Sequence, residues 1–198
     1  MNGFELRKER KRESIRHAAM ELFGTYGFGK VSIKDIARKA GVSHVTIYNH
    51  FNSKEELVND VVRTEIERLV EKSREIIDSE SDFLEKMNLI RFSKVGLASR
   101  YNGEVMKAAI NNSPETYEYI DKLWREKINK LLVELIEEGR RKGYISSDIS
   151  QEAMLLYFDM IRAGAFASVE TLDRIKIDAK LADDLNRLFL YGLIDKKD

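Results

Sequence analysis

The chain has 198 residues, of which 43% are apolar and 34% charged, with one proline and no cysteine. The apolar content is sufficient for a buried core, and the charge content exceeds the ~25% of an ordinary protein, which favours a helical chain. Without cysteine, the chain contains no disulfide, zinc–thiolate site, iron–sulfur cluster or cysteine nucleophile.

We expect neither a membrane-spanning segment nor a signal peptide in this sequence. No apolar run approaches the ~18 residues that a membrane helix needs. The N-terminal stretch MNGFELRKERKRES is charged and is not followed by an apolar segment. We therefore expect a cytoplasmic protein with no membrane partner.

The net charge of +0 conceals an uneven distribution along the chain. Residues 1–50 contain ten basic and five acidic side chains, a net charge of +5, so residues 51–198 carry −5. A basic N-terminal part on an acidic remainder predicts a polyanionic partner for the N-terminal part alone.

The first predicted helix begins near Arg7 and ends at Gly27, for which we expect a left-handed conformation. Its apolar residues recur at helical spacing and predict one buried face. These residues are Ile15, Ala18, Ala19, Leu22, Phe23 and Tyr26.

Two short helices are predicted next. Ser32 caps the first, with Asp35 at its third position, and Gly41 ends it. Ser43 caps the second, over residues 44–50. Two short helices joined by a tight glycine turn form a helix-turn-helix. Its inner side chains are expected to be Ile36, Val42 and Ile47, and its outward side chains His44, Val45, Tyr48 and Asn49.

The rest of the chain also reads as helices, with no strand-like alternation. Ser53 and Glu56 form a capping box for a fourth helix that reaches about residue 77. Further helices are predicted near 82–99, 104–111, 115–142, 150–170 and 179–194. The expected fold is all-α with about nine helices. A helix-turn-helix DNA-binding domain spans 1–53, and an effector-binding and dimerisation domain spans 54–198, linked through helix 54–77.

Residues 31–57, VSIKDIARKAGVSHVTIYNHFNSKEEL, resemble the DNA-binding signature of the TetR family, the tetracycline-repressor-like regulators. The resemblance covers roughly residues 10–60. It includes the Ile-Ala…Ala-Gly-Val-Ser turn, the Thr-Ile-Tyr-x-His-Phe helix and the Ser-Lys-Glu start of the next helix. Val45 departs from the glycine or proline that many members have. Residues 80–198 match only in the number and length of their helices.

The resemblance implies a homodimeric repressor without a cofactor or metal, bound to a palindromic double-stranded DNA operator and released by a small-molecule effector. It implies base-edge contacts from His44, Val45 and Tyr48. It also implies phosphate contacts from Ser32, Ser43, Thr46, Asn49, His50 and Lys54. Hydroxyl groups and capped helix N-termini suit phosphate oxygens, and a valine methyl suits thymine.

Packing is the alternative for two of these side chains. Tyr48 could be half-buried, and His50 could cap a helix or pack against Phe51, which we expect in the core. The basic run from Arg7 to Arg12 could be merely solvated, because Glu9 and Glu13 dilute its field.

The family's last two long helices form an intermolecular four-helix bundle, which would bring two recognition helices to successive major grooves. The corresponding residues here are Met154, Phe158, Ile161 and Ala165 on one helix, and Leu181, Leu185, Leu188 and Phe189 on the other. An intramolecular core is the alternative.

The resemblance further implies a pocket for an unknown small effector, apolar or amphipathic. The candidate lining residues are Phe83, Met87, Ile90, Met106, Tyr117, Trp124, Phe158 and Arg162. Methionine and aromatic side chains can repack around varied apolar ligands, although each could equally be ordinary core. Arg162 could pair with Asp159 or meet an anionic group of the ligand.

Two other function classes compete with this interpretation. An all-α enzyme is disfavoured because all three histidines lie within residues 1–50 and no E-x-x-H pair or glycine-rich phosphate loop exists. The other is an effector-independent DNA-binding regulator, or an activator, controlled by a protein partner.

Overall fold

The structure is a computed structural model that describes residues 3–90 and 113–167, together with 180–181, 184–185 and 188. Within these ranges the chain is helical and contains no β-strand, which confirms the predicted all-α class. The helices are α1 (Gly3–Tyr26), α2 (Ile33–Ala40), α3 (His44–His50), α4 (Lys54–Asp78), α5 (83–90), α6 (Pro114–Leu123), α7 (Asn129–Arg141) and α8 (Gln151–Ala167).

Several predicted helices extend outside the described residues. The helix predicted at 104–111 lies there entirely, as do residues 91–99 and 168–170. Of the helix predicted at 179–194, the residues that the structure describes are helical.

The first helix begins earlier than predicted, whereas it ends at Tyr26, directly before the predicted stop at Gly27. It begins at Gly3 rather than near Arg7. Tyr26, predicted on the buried face, is 58% exposed, so that assignment was wrong. Gly27 has φ 80° and ψ 156°, a glycine conformation outside the left-handed helical region, because the chain continues directly into a short 3-10 turn, Phe28–Lys30.

The helix predicted over 115–142 is interrupted in its hydrogen-bonding pattern. Pro114 occupies its first position as predicted, and Ser113 Oγ accepts a hydrogen bond from the Thr116 amide at 3.1 Å. Residues Trp124–Ile128 form a π-helical segment between α6 and α7. Gly143, with φ 74°, follows α7 and confirms the predicted stop.

The described residues form two compact units, and α4 contributes to both of them. The first unit contains residues 3–67 and 113–120. Its fully buried side chains come from α1, α2, α3, α4 and the residue that follows α3. They include Ile15, Phe23, Ile36, Ile47, Phe51 and Leu57. This confirms Phe51 as core. The domain boundary predicted at residue 53 stays a prediction.

The second unit contains residues 68–90, 121–167 and the described residues near the C-terminus. Its core includes Phe83, which is fully buried and stacks on Tyr144 with ring centres 5.0 Å apart. Gly139 of α7 packs closely against Phe83 and Ile145. A Cβ added at Gly139 would come within 2.7 Å of both side chains.

Candidate nucleic-acid interface

A capping box fixes the start of α2. Ser32 Oγ accepts a hydrogen bond from the Asp35 amide at 3.2 Å, and the Asp35 carboxylate accepts one from the Ser32 amide at 3.1 Å. The Ser32 hydroxyl also donates to this carboxylate, and these hydrogen bonds lower the pKa of Asp35. Both predicted capping residues are therefore confirmed.

The turn between α2 and α3 has the geometry that the sequence predicted. Gly41 adopts φ 68° and ψ 33°, the left-handed region that disfavours residues with a Cβ. Ser43 Oγ accepts a hydrogen bond from the Thr46 amide at 3.0 Å and lies 2.8 Å from Thr46 Oγ1. Ile47 is fully buried, so it sets which side of α3 faces solvent.

The opposite side of α3 presents four exposed side chains. Val45 is 53% and Tyr48 48% exposed, and His44 and Asn49 are exposed beside them. Together they offer a methyl surface, a phenolic hydroxyl, an imidazole and an amide, the groups that contact base edges in a major groove. The predicted outward orientation of these residues is confirmed.

His50 lies at the end of α3 and is half-buried. Its ring centre is 6.3 Å from that of Phe51, and its Nδ1 is buried with no hydrogen-bond partner among the described residues. Burial lowers its pKa, and the positive charges of Lys8, Arg12 and Lys11 lower it further. The packing and phosphate-binding interpretations of His50 are therefore compatible.

Lys54 makes contacts that its sequence position did not reveal. Its Nζ donates to the Phe28 carbonyl at 2.6 Å and lies 4.0 Å from the centre of the Phe28 ring. Burial lowers the pKa of Lys54, against the effect of Glu55. The Lys54 ammonium group has three N–H donors, so it can donate to a phosphate as well as to the Phe28 carbonyl.

The capping box predicted at the start of α4 is only half formed. Ser53 Oγ accepts from the Glu56 amide at 3.0 Å as expected. The Glu56 carboxylate accepts instead from Asn52, at 3.1 Å from its amide and 2.7 Å from its side chain. Two residues, Asn52 and Ser53, therefore make the hydrogen bonds to Glu56 that fix the turn before α4.

Two arginines of α1, Arg12 and Arg16, form ion pairs inside the first unit. Arg12 and Arg16 both bind the carboxylate of Asp60 on α4, the latter with an N–O distance of 2.5 Å. Arg16 also pairs with Glu9 at 2.8 Å and with Glu13 at 3.0 Å. Sequence reasoning missed Asp60, because no short-range spacing connects α1 with a residue more than forty positions away.

Known proteins resemble the chain in both sequence and fold. The family model for bacterial regulatory proteins of the tetR family matches residues 15–61. This match confirms the resemblance of the N-terminal residues to the TetR family.

Two relatives match over most of their length. The HTH-type transcriptional repressor KstR2 of Rhodococcus jostii is 29% identical over 169 residues, which are 82% of this chain and 79% of the relative. The HTH-type transcriptional regulator UidR of Escherichia coli K12 is 25% identical over 197 residues, 98% of each chain.

A solved structure shows the same fold. The ketosteroid transcriptional regulator KstR2 of Mycobacterium tuberculosis superposes with a TM-score of 0.59 at 21% identity, over 93% of this chain and 95% of that one. Both relatives of known sequence are thus named as HTH-type transcription factors, one a repressor and one a regulator. No helix among the described residues is long and apolar enough to cross a membrane.

The residues predicted to line an effector pocket differ in burial and come from both units. Phe83 and Phe158 are buried, whereas Met87, Ile90 and Trp124 are half-buried in the second unit. Tyr117 is exposed and belongs to the first unit. Met106 and the side chain of Arg162 lie outside the described residues. These assignments stay predictions.

Of the residues predicted at the dimer interface, Met154 is 1% exposed and Phe158 is buried. Ile161, Leu185 and Leu188 expose large apolar surface, and Leu181 is half-buried. The side chains of Ala165 and Phe189 fall outside the part of the chain that the structure describes. The interface itself stays a prediction.

Proposed function

We propose that this protein is a homodimeric transcriptional repressor of the TetR family that binds a palindromic operator through α3 and is released by a small apolar or amphipathic effector. The observation that carries the proposal is the exposed set His44, Val45, Tyr48 and Asn49 on a short helix whose opposite side is anchored by Ile47. A rigidly held helix with such groups fits the major groove.

The contacts divide into two chemical kinds. His44, Val45 and Tyr48 would read base edges, while Thr46, Asn49, His50 and Lys54 would hold phosphates, helped by Ser32 and Ser43. Phosphate contacts set the register of the protein on the duplex, and base contacts set its sequence preference. Removing members of the two groups should therefore affect binding differently.

Dimerisation would follow from the exposed apolar surface of α8. Leu156, Met160 and Ile161 are all exposed on this helix. A two-fold dimer spaces its recognition helices about 34–36 Å apart, one turn of DNA. Because Met154 is already buried in its own chain, Ile161, Leu185 and Leu188 would supply the surface between subunits.

The described part of the second unit contains an open groove of about 600 Å³ beside Trp124. Leu155 and Leu156 add apolar lining, and Arg125, Gln151 and Asp159 add polar groups. Such a mixed lining suits an amphipathic molecule. An effector that binds better to the conformation with low operator affinity would release the DNA.

The DNA-binding part is tested with duplex from upstream of the protein's own gene, by fluorescence anisotropy without effector. Tyr48→Ala should weaken specific binding roughly 5- to 150-fold, the ~1–3 kcal/mol of a base contact. Tyr117→Ala is the matched control, since both tyrosines are 48% exposed. Specific binding that survives Tyr48→Ala combined with Lys54→Ala would refute the assigned DNA-binding residues.

The effector and dimer parts have separate tests. Sedimentation should give a dimer, and a monomer would contradict the proposal.

A ketosteroid is the first probe for the effector, because the M. tuberculosis relative is named for ketosteroid regulation. We expect an apolar or amphipathic compound from such a panel to raise the melting temperature and release the duplex. Specific DNA binding that responds to no compound would favour control by a protein partner.

A further inference from the structure

We propose that the N-terminal half of α1 forms a second DNA-binding site with the end of α3. This basic cleft is defined by Arg7, Lys8, Arg10 and Lys11 on α1 and by Asn49 and His50 on α3. Its occupant is the phosphate backbone of duplex DNA beside the groove that α3 enters. The inference rests on the proposed function and adds a contact surface to it.

The charges of α1 are sorted by helical face. Arg7, Lys8 and Lys11 fall at spacings of one and three residues, so they share one side of the helix, and this side lines the cleft. Glu9 and Glu13 lie four residues apart on another side. The mixed sequence RKERKRES therefore becomes a basic side and an acidic side once it is helical.

The acidic side is partly compensated by ion pairs within the protein. Glu9 and Glu13 both pair with Arg16, which in turn binds Asp60 together with Arg12. In contrast, none of the four cleft cations has an ion-pair partner among the described residues. The neighbouring carboxylates therefore only partly offset the positive field of the cleft. Their alternation with the basic residues in the sequence had suggested a more complete cancellation.

The other wall of the cleft supplies hydrogen-bonding groups. The open space is about 690 Å³, and the α2–α3 turn at Ala40–Val42 also lines it. Ser14 Oγ lies 3.4 Å from the Ala40 carbonyl and joins α1 to this turn. His50 lines the same cleft, so its imidazole ring adds a polar group beside the four cations.

Continuity with α3 indicates DNA as the occupant. Asn49 belongs both to the exposed side of α3 and to the cleft. A polyanion in front of α3 therefore extends into the cleft without a gap. Duplex DNA carries one negative charge per ~1.7 Å of its axis, so such a surface gains affinity by releasing counterions and does so for any base sequence.

The experiment measures the salt dependence of DNA binding by the full chain. Lys8→Gln and Lys11→Gln should each flatten the slope of log affinity against log salt by about 0.9 per protomer. Affinity at 0.1 M salt should fall roughly eight-fold for each lysine–phosphate pair removed, equally for the specific and an unrelated duplex. Since residues 3–11 are exposed, circular dichroism melting should remain unchanged.

Lys127→Gln is the control, because Lys127 is an exposed cation of the second unit and its substitution removes the same charge. Equal slopes for Lys11→Gln, Lys8→Gln and Lys127→Gln would overturn the basic cleft while leaving the proposed function intact. Failure of the parent protein to bind any duplex would overturn both. A loss confined to the specific duplex would make these lysines base-reading residues and would also refute the cleft.

Discussion

The helix-turn-helix of the first unit and the interior of the second unit use their polar side chains in different ways. In the first unit, Ser32 and Ser43 cap their helices locally, and α3 turns its polar and aromatic tips outward. In the second unit, Lys86 and Glu138 are buried and bind each other at 3.1 Å. The first arrangement leaves a surface for another molecule, whereas the second stabilises an interior.

The buried pair is part of a small network. Lys86 Nζ also donates to the Ile77 carbonyl at 2.7 Å, and Lys142 pairs with Glu138 at 2.8 Å. Burial acts to raise the pKa of Glu138, but the hydrogen bonds from Lys142 and Lys86 outweigh it and lower the pKa. We therefore expect substitutions in this network to lower the stability of the protein, and substitutions on α3 to weaken its binding to DNA.

The largest expected effect is that of Glu138→Ala. It leaves the buried Lys86 ammonium without its carboxylate, which should lower the free energy of unfolding by about 3–5 kcal/mol. Urea denaturation measures the change. Lys86→Met combined with Glu138→Leu is the control and should recover most of the loss. Equal destabilisation in both variants would show that the charge pairing is not the cause.

Gly139→Ala should have the next largest effect. The new methyl group would come within 2.7 Å of Phe83 and Ile145, and overpacking of this kind costs about 1–3 kcal/mol. Gly164→Ala on α8 is the matched control, because nothing lies within 4 Å of its added Cβ. Thermal melting should show Gly164→Ala unchanged or stabilised, by up to about 1 kcal/mol. A stabilised Gly139→Ala would contradict the packing.

Ser43→Ala should cost about 1 kcal/mol, because the Thr46 amide loses its cap. Ser43→Asn keeps a side-chain oxygen that can accept from the Thr46 amide and should lose only a few tenths of that. Chemical denaturation compares the two, and anisotropy follows DNA binding in parallel. If both substitutions had equal effects on stability, the side-chain cap would not contribute.

The smallest expected effect is a pH dependence of DNA binding at His50. Its pKa is lowered in the free protein by burial and by Lys8, Arg12 and Lys11, with Glu9 opposing. A phosphate in the basic cleft would raise that pKa, so binding takes up a proton. Affinity should therefore increase as the pH falls from 7 towards 5, by less than about ten-fold for each unit by which the pKa rises.

His50→Gln should flatten this pH profile, and His17→Gln is the control, since His17 lies on α1 outside the cleft. An identical profile in His50→Gln and the parent would exclude His50 as the titrating group. A profile with affinity increasing towards alkaline pH would contradict the sign of the linkage.

Short-range rules account for what could be predicted from the sequence. Ser32, Asp35, Gly41 and Ser43 act on backbone groups within a few residues, so their positions alone define the caps and the turn. Once Ile47 is buried, helical spacing sets the exposure of Tyr48 and its neighbours. The all-α class follows from the same periodicity.

The tertiary structure alone decided the contacts between distant residues. Asp60 binds Arg16 across 44 positions, and Glu138 binds Lys86 across 52. No spacing rule connects such partners, because the packing of whole helices brings them together. For the same reason the sequence could not show that Tyr26 is exposed or that Met154 is already buried in its own chain. Local backbone chemistry shapes the DNA-facing surface, whereas long-range packing determines which charges of α1 remain available to bind.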